Sequence, residues 1–134
     1  MMSKVKKISE DVVAYQFAFI RFYREWSGEL LNVGLVMTTE EGDFWVYLRP
    51  DTERMKACWP DFNDGTWASI RDAWLGQIRG FLEDSETPTV EELLETFDLE
   101  QDKKLIQTSH VMSGIHIRPE ERFAHLRSIH VDHD

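Results

Sequence analysis

The fold turns on Leu30-Leu31-Asn32-Val33-Gly34-Leu35-Val36-Met37-Thr38-Thr39-Glu40-Glu41-Gly42-Asp43-Phe44-Trp45-Val46-Tyr47-Leu48-Arg49. Two runs rich in β-branched and aromatic residues, Leu30 to Thr39 and Phe44 to Arg49, flank a short polar joint. Such runs suit a pleated, half-buried surface. Gly42 can supply the positive φ of a tight turn, so the stretch reads as a β-hairpin. A two-residue turn at Glu41-Gly42 sets Leu35 opposite Leu48, Met37 opposite Val46 and Thr39 opposite Phe44. That register leaves one face almost wholly apolar, which supports it. The opposite face then carries Asn32, Gly34, Val36, Thr38, Trp45, Tyr47 and Arg49.

Upstream of the hairpin, Val12 to Tyr23 reads as a strand with Tyr15, Phe17 and Phe19 on one side, and Ser27-Gly28 as the turn after it. Downstream, Pro50 ends the second run. Asp51 to Cys58 suits a short helix with Asp51 as N-cap. Asp61 to Gly65 is a loop. From Thr66 to Leu82 the apolar spacing is helical, with Trp67, Ile70, Trp74, Ile78 and Phe81 at intervals of three and four. Gly76 and Gly80 would let this helix approach the sheet closely. Thr89 and Glu92 fit a capping box, with Leu93, Leu94 and Phe97 as the stripe of the helix it opens. Leu105 to Ile117 is extended, with a break near Ser113-Gly114. Pro119 suits the first turn of a last helix lined by Phe123, Leu126 and Ile129. The expected class is α+β, an antiparallel sheet with a central β-hairpin and helices packed on one face. Residues 1–11 are expected to be a flexible N-terminus, 12–131 a single domain and 132–134 a tail.

The chain has 134 residues, 42% of them apolar, which is enough for one core without disulfides or metals. Cys58 is the sole cysteine and has no internal partner, as expected in a reducing compartment. The most apolar stretch, Val12 to Ile20, is too short to span a bilayer, so the expected location is cytoplasmic. The formal net charge is −10, which disfavours unaided binding to nucleic acid.

Phe19-Ile20-Arg21-Phe22-Tyr23, followed by Gly28-Glu29-Leu30-Leu31-Asn32-Val33-Gly34-Leu35-Val36, resembles the start of an uncharacterised bacterial family, domain of unknown function 3037. Leu105-Ile106-Gln107-Thr108-Ser109, Gly114 and the acidic segment from Pro119 to Leu126 look like its C-terminal strand and helix. The specific part is Asn32-Val33-Gly34. The resemblance implies no reaction. It implies a role beside other proteins, since members of that family are often encoded next to a HipA-like kinase.

Two surfaces are candidates for binding. Asn32 and Gly34 are poor strand formers inside a strong strand. In the expected register Gly34 faces Arg49, flanked by Trp45 and Tyr47. A glycine there would floor a shallow aromatic groove in which Arg49, with Arg21, could receive an acidic group. The alternative is a β-bulge with a stacked Arg–aromatic surface. The second surface is acidic. From Glu83 to Asp102 nine carboxylates occur without a Lys or Arg. Glu91, Glu92, Glu95 and Asp98 fall on the helix after Thr89, where Glu91 and Glu95 repel. A basic partner would relieve that repulsion, while a solvated face that aids solubility is the plainer reading.

His125, His130 and His133 do not match a zinc spacing, and no metal or cofactor is expected. Cys58 reads as an ordinary thiol. The sequence has no nucleophile elbow, phosphate loop or metalloprotease motif, and no carboxylate pair stands out as acid and base. The expected function is a non-enzymatic interaction or accessory module of a bacterial or phage system. It would bind another protein or a second copy of itself, with no direct contact to nucleic acid or membrane. The alternatives are an acidic inhibitor that mimics nucleic-acid charge, and an enzyme of unknown reaction.

Overall fold

The computed structural model of the chain describes residues 12–24, 29–58, 60–86, 88–97 and 106–132. The turn at Ser27-Gly28, the N-terminal residues 1–11, Asp98, His133 and the side chains of Cys58 and Phe97 lie outside that description. The apolar runs form strands β1 (Val13–Arg24), β2 (Glu29–Thr39) and β3 (Phe44–Leu48), followed by helices α1 (Glu53–Cys58), α2 (Asp64–Asp84) and α3 (Val90–Phe97). Two short strands, β4 (Ile106–Thr108) and β5 (Met112–His116), precede helix α4 (Pro119–His130). The sheet is antiparallel and runs β3-β2-β1, after which β4 and β5 share the far side of the long strand β1. The class is therefore α+β, with β1 and β2 as the inner strands.

The hairpin is present, but its register differs by one residue from the two-residue turn. Val36 pairs with Val46, Met37 with Trp45 and Leu35 with Tyr47. The reason is the turn. Gly42 donates to the Thr39 carbonyl at 3.1 Å, and Thr39 donates to the Asp43 carbonyl at 2.9 Å. Glu40-Glu41-Gly42 is thus a three-residue loop, a tight turn closed by Gly42 at φ 90°. A two-residue turn of the favoured kind would need positive φ at Glu41 as well, and among the described residues no non-glycine adopts it. Because side chains alternate with a period of two, the shift moves every β3 side chain to the other face.

The two faces consequently differ from the expected ones. One carries Ala18, Ile20, Phe22, Val33, Val36 and Leu48, packed under Met55, Trp67, Trp74, Ile78, Leu82 and Leu93 of helices α1 to α3. The other carries Tyr15, Phe17, Phe19, Leu35 and Met37, packed under Phe123, Leu126 and Val131. Helices α1 to α3 cover one face as expected, and α4 lies across the other.

Local chemistry explains the helix ends. Asn63 caps α2 by accepting from the Gly65 and Thr66 amides at 2.7 and 3.3 Å. Thr89 accepts from the Glu92 amide at 3.2 Å, which is half of the expected capping box. Asp51 accepts from the Glu53 amide at 3.2 Å and so serves the start of α1. The Thr52 hydroxyl and the Lys56 ammonium both bond Asp64 and hold its carboxyl below the usual carboxylate range.

Three smaller expectations are corrected. A Cβ on Gly76 or Gly80 would meet nothing within 4 Å, so both glycines face open space and not the sheet. The break between β4 and β5 falls at Ser109 to Val111 and not at Gly114. Gly114 lies inside β5, where a Cβ would collide with the Tyr15 phenol. Ser109 spans the break, since its amide donates to the Phe19 carbonyl and its hydroxyl accepts from the Phe19 amide, both at 2.9 Å. Ile129 is exposed, and Val131 takes its place in the core.

Candidate functional site

The expected groove is not formed. Gly34 stands on the α2 side of the sheet, paired with Leu48. A Cβ there would collide with Leu48 Cδ2 and lie 2.7 Å from the Tyr47 carbonyl, so the glycine is needed for close packing and not as a groove floor. A register shift between Ile20 and Arg21 makes a bulge at Val33, which turns Asn32 toward the opposite side, where Arg21 stands by the alternation of β1. There Arg21 Nε donates to Asn32 Oδ1 at 3.1 Å.

Trp45, Tyr47 and Arg49 do share a face, and α4 with the residues after it occupies it. The Trp45 ring lies 6.2 Å from that of Phe123. The Arg127 guanidinium sits 3.6 Å over the Tyr47 ring, a cation–π contact. The Tyr47 hydroxyl donates to Asp132 at 2.8 Å, and Arg127 bonds the same carboxylate at 2.9 Å. Burial, with the Asp132 hydrogen bond next, raises the Tyr47 pKa above its ordinary value. Arg49 is only 4% exposed. Its guanidinium donates to the Val131 carbonyl and to Asp51, each at 3.0 Å. The acidic group expected to reach Arg49 is the chain's own Asp51.

A concavity lies elsewhere. On the α2 side, near the start of β1, the sheet extends beyond the helices that cover it. Ala14 and Gln16 of β1, Thr38 of β2, and Ser113 and Ile115 of β5 line a cavity of about 530 Å³. The pairs Gln16–Thr38, Gln16–Ser113 and Ala14–Ile115 are cross-strand neighbours, which places these side chains on one surface. Pro88 and Thr89, just before α3, form a wall, and Tyr15, Thr39, Glu40 and Gly114 complete the lining. The size falls within the range of about 300–1,000 Å³ typical of ligand pockets. Ile115, at its edge, is 68% exposed. Gln16 Oε1 is shielded from solvent and has no hydrogen-bond partner among the described residues. The ionisable lining groups are both engaged, Tyr15 by Arg122 Nε at 3.2 Å and Glu40 by the Ala14 amide at 3.3 Å.

Acidic residues lie on the segments that lead into this cavity. Glu40, Glu41 and Asp43 belong to the hairpin turn, Glu83, Asp84 and Glu86 to the end of α2 and just beyond, and Glu91, Glu92 and Glu95 to α3. All of them are exposed. The turn touches the segment after α2, since a Cβ on Gly42 would lie 3.4 Å from the Glu86 carbonyl. Glu40 and Thr89 line the same cavity. Arg79 lies beside Glu83 in a second shallow depression against β3, and Arg122 is the cation bonded to Tyr15 of the cavity lining.

None of the residues expected from sequence to form the groove lines the cavity. Its signal in the sequence is the inward row of β1, where small and polar Ala14 and Gln16 precede apolar Ala18, Ile20 and Phe22. Among the described residues no group of three or more His, Cys, Asp or Glu is placed to hold a metal. No described helix is long and apolar enough to cross a membrane. No protein-family model, curated protein or solved structure matches the chain.

Proposed function

We propose that this chain is a non-enzymatic protein-interaction module, an accessory component of a bacterial or phage system, which docks a partner at the cavity between the start of β1, β5 and the N-terminus of α3. The observation that carries this reading is the cavity itself, about 530 Å³, lined by Ala14 and Thr38 with Ile115 at its edge. Apolar concavities with a few polar groups are where proteins bind other molecules. Its two ionisable lining groups are held by internal hydrogen bonds, which suits binding better than proton transfer. The resemblance to domain of unknown function 3037 offers a HipA-like kinase as one partner to try. A second copy of the chain is another, and equilibrium sedimentation distinguishes it.

The test is capture of partners by the tagged full chain from its host, at low and high salt, beside Ala14→Trp, which fills the cavity. The expected result is one stoichiometric partner that the variant loses while its thermal midpoint is kept. A variant that retains the partner removes the cavity from the reading. A second reading, an inhibitor that mimics nucleic-acid charge, is favoured by the run of nine carboxylates from Glu83 to Asp102 without a Lys or Arg. It expects a captured nucleic-acid enzyme that free DNA displaces.

A further inference from the structure

We infer that the partner presents a basic segment with an apolar anchor, a Leu- or Phe-sized side chain between lysines or arginines, and that the anchor enters the cavity beneath the acidic rim. This rests on the reading of the chain as an interaction module. Two features set the chemistry. The floor of the cavity is apolar or weakly polar, and Ile115 continues it outward, 68% exposed, along β5. Desolvating such a surface favours an apolar group by about 25 cal/mol per Å². The rim has the opposite character. Glu40 lines the mouth, and the segments that border it, the hairpin turn beside Glu86 and the start of α3, carry further exposed carboxylates. Grouped like charges raise the local potential, which attracts cations and repels acidic chains.

A feature that favours an anion is the positive end of the α3 dipole behind Thr89. It is already met by the Thr89 hydroxyl and by Glu91 and Glu92 in the first turn. Gln16 adds a polar mark. Its carboxamide oxygen lacks a donor among the described residues, so an N–H or ammonium that draws it round satisfies a group now left unpaired. Neither an acidic peptide nor a purely polar basic tail satisfies both floor and rim.

The test uses the full chain, isotopically labelled, titrated with the capped peptide Lys-Lys-Leu-Phe-Lys-Lys and followed by amide chemical shifts. Shifts are expected at Ala14, Gln16, Thr38, Ser113 and Ile115. Raising the salt from about 50 to about 300 mM should weaken binding about tenfold. Ala14→Trp should abolish it, and the triple variant Glu91→Lys, Glu92→Lys, Glu95→Lys should weaken it about tenfold while its amide spectrum stays that of the folded chain. Equal binding of the Glu-for-Lys peptide, or of Lys-Lys-Gly-Gly-Lys-Lys, overturns the inference. Binding that appears only after Lys4→Glu, Lys6→Glu and Lys7→Glu also overturns it, because the occupant is then the chain's own basic N-terminal segment. If no peptide binds but Ala14→Trp still loses the host partner, the partner class is wrong and the interaction module stands.

Discussion

The two faces of the sheet are closed by different means. Under α2 the contact is mainly apolar, with Trp67, Ile78 and Leu82 each at most 1% exposed, and its polar ties, Trp67 to the Arg49 carbonyl and Arg71 to the Leu48 carbonyl, gather at the end of β3. Under α4 an aromatic patch is fastened at its margins by polar ties. Arg49 holds the Val131 carbonyl, Tyr47 holds Asp132, and Arg122 holds Tyr15. An apolar contact is non-directional and tolerates small shifts, while the polar ties fix the position of one helix. Damage to the first face should therefore weaken the whole sheet, and damage to the second should loosen α4 first.

The largest effect is expected from Trp67→Ala. The ring is buried in the core under α2, and Nε1 donates to the Arg49 carbonyl at 2.9 Å. Losing a buried aromatic costs about 3–5 kcal/mol, and the orphaned carbonyl adds to that. Urea unfolding followed by circular dichroism should show the loss in every element at once. A loss confined to α2 would mean that the two faces fold independently.

Arg49→Met comes next and should separate the faces. Methionine fills similar space but drops the bonds to Val131 and Asp51. Hydrogen bonds from a charged donor contribute about 1.5–3 kcal/mol, so a loss of about 2 kcal/mol is expected. Amide hydrogen exchange should rise first in α4 and stay slow in β1 and α2. Uniform acceleration would make Arg49 a part of the global core.

Tyr47→Phe should cost less, about 1 kcal/mol, because the hydroxyl and its Asp132 partner are partly open to solvent. It also carries a pH signature. The folded Tyr47 pKa is raised above the ordinary value near 10. The folded state therefore favours the protonated phenol. Its contribution is fully present below the unfolded pKa and is lost as pH rises through the folded one. Stability measured from pH 8 to about 11 should fall less steeply in the variant than in the parent. Parallel curves would mean that the Asp132 tie does not act in solution.

Most of the elements are legible in the sequence, because β1, β2, β3 and α2 carry clear periods of two or of three and four. The register of the hairpin is the point of departure, although the residues hold the information. Glu41 is poorly suited to positive φ, which argues for placing Gly42 third in a three-residue loop. That choice alone decides that Trp45, Tyr47 and Arg49 join Leu35 and Met37, and so where α4 docks. The Val33 bulge is among the alternatives that Asn32 and Gly34 suggest, but the opposite facing of those two residues is not. The cavity depends on where α2 and α3 stop covering β1 and β5, a tertiary fact that no local period records. The acidic run after Glu83 is plain in the sequence, but its meeting with Glu40, Glu41 and Asp43 requires the hairpin turn to be placed in space.

The smallest prediction concerns the glycines. Gly34 and Gly114 are held by neighbours that a Cβ would strike, whereas Gly76 on α2 has open space around it. A glycine in an exposed helix interior leaves backbone freedom to be lost on folding, and alanine removes about 0.5–1 kcal/mol of that cost. Gly76→Ala should therefore stabilise the chain by about that amount, read as a higher urea midpoint with an unchanged slope. The sign is the informative part. Because α2 faces the sheet through Trp67, Trp74 and Ile78, its far side should accept a methyl group without cost. A destabilised Gly76→Ala would place another surface against that side of α2, and the apolar face would then be part of a larger assembly.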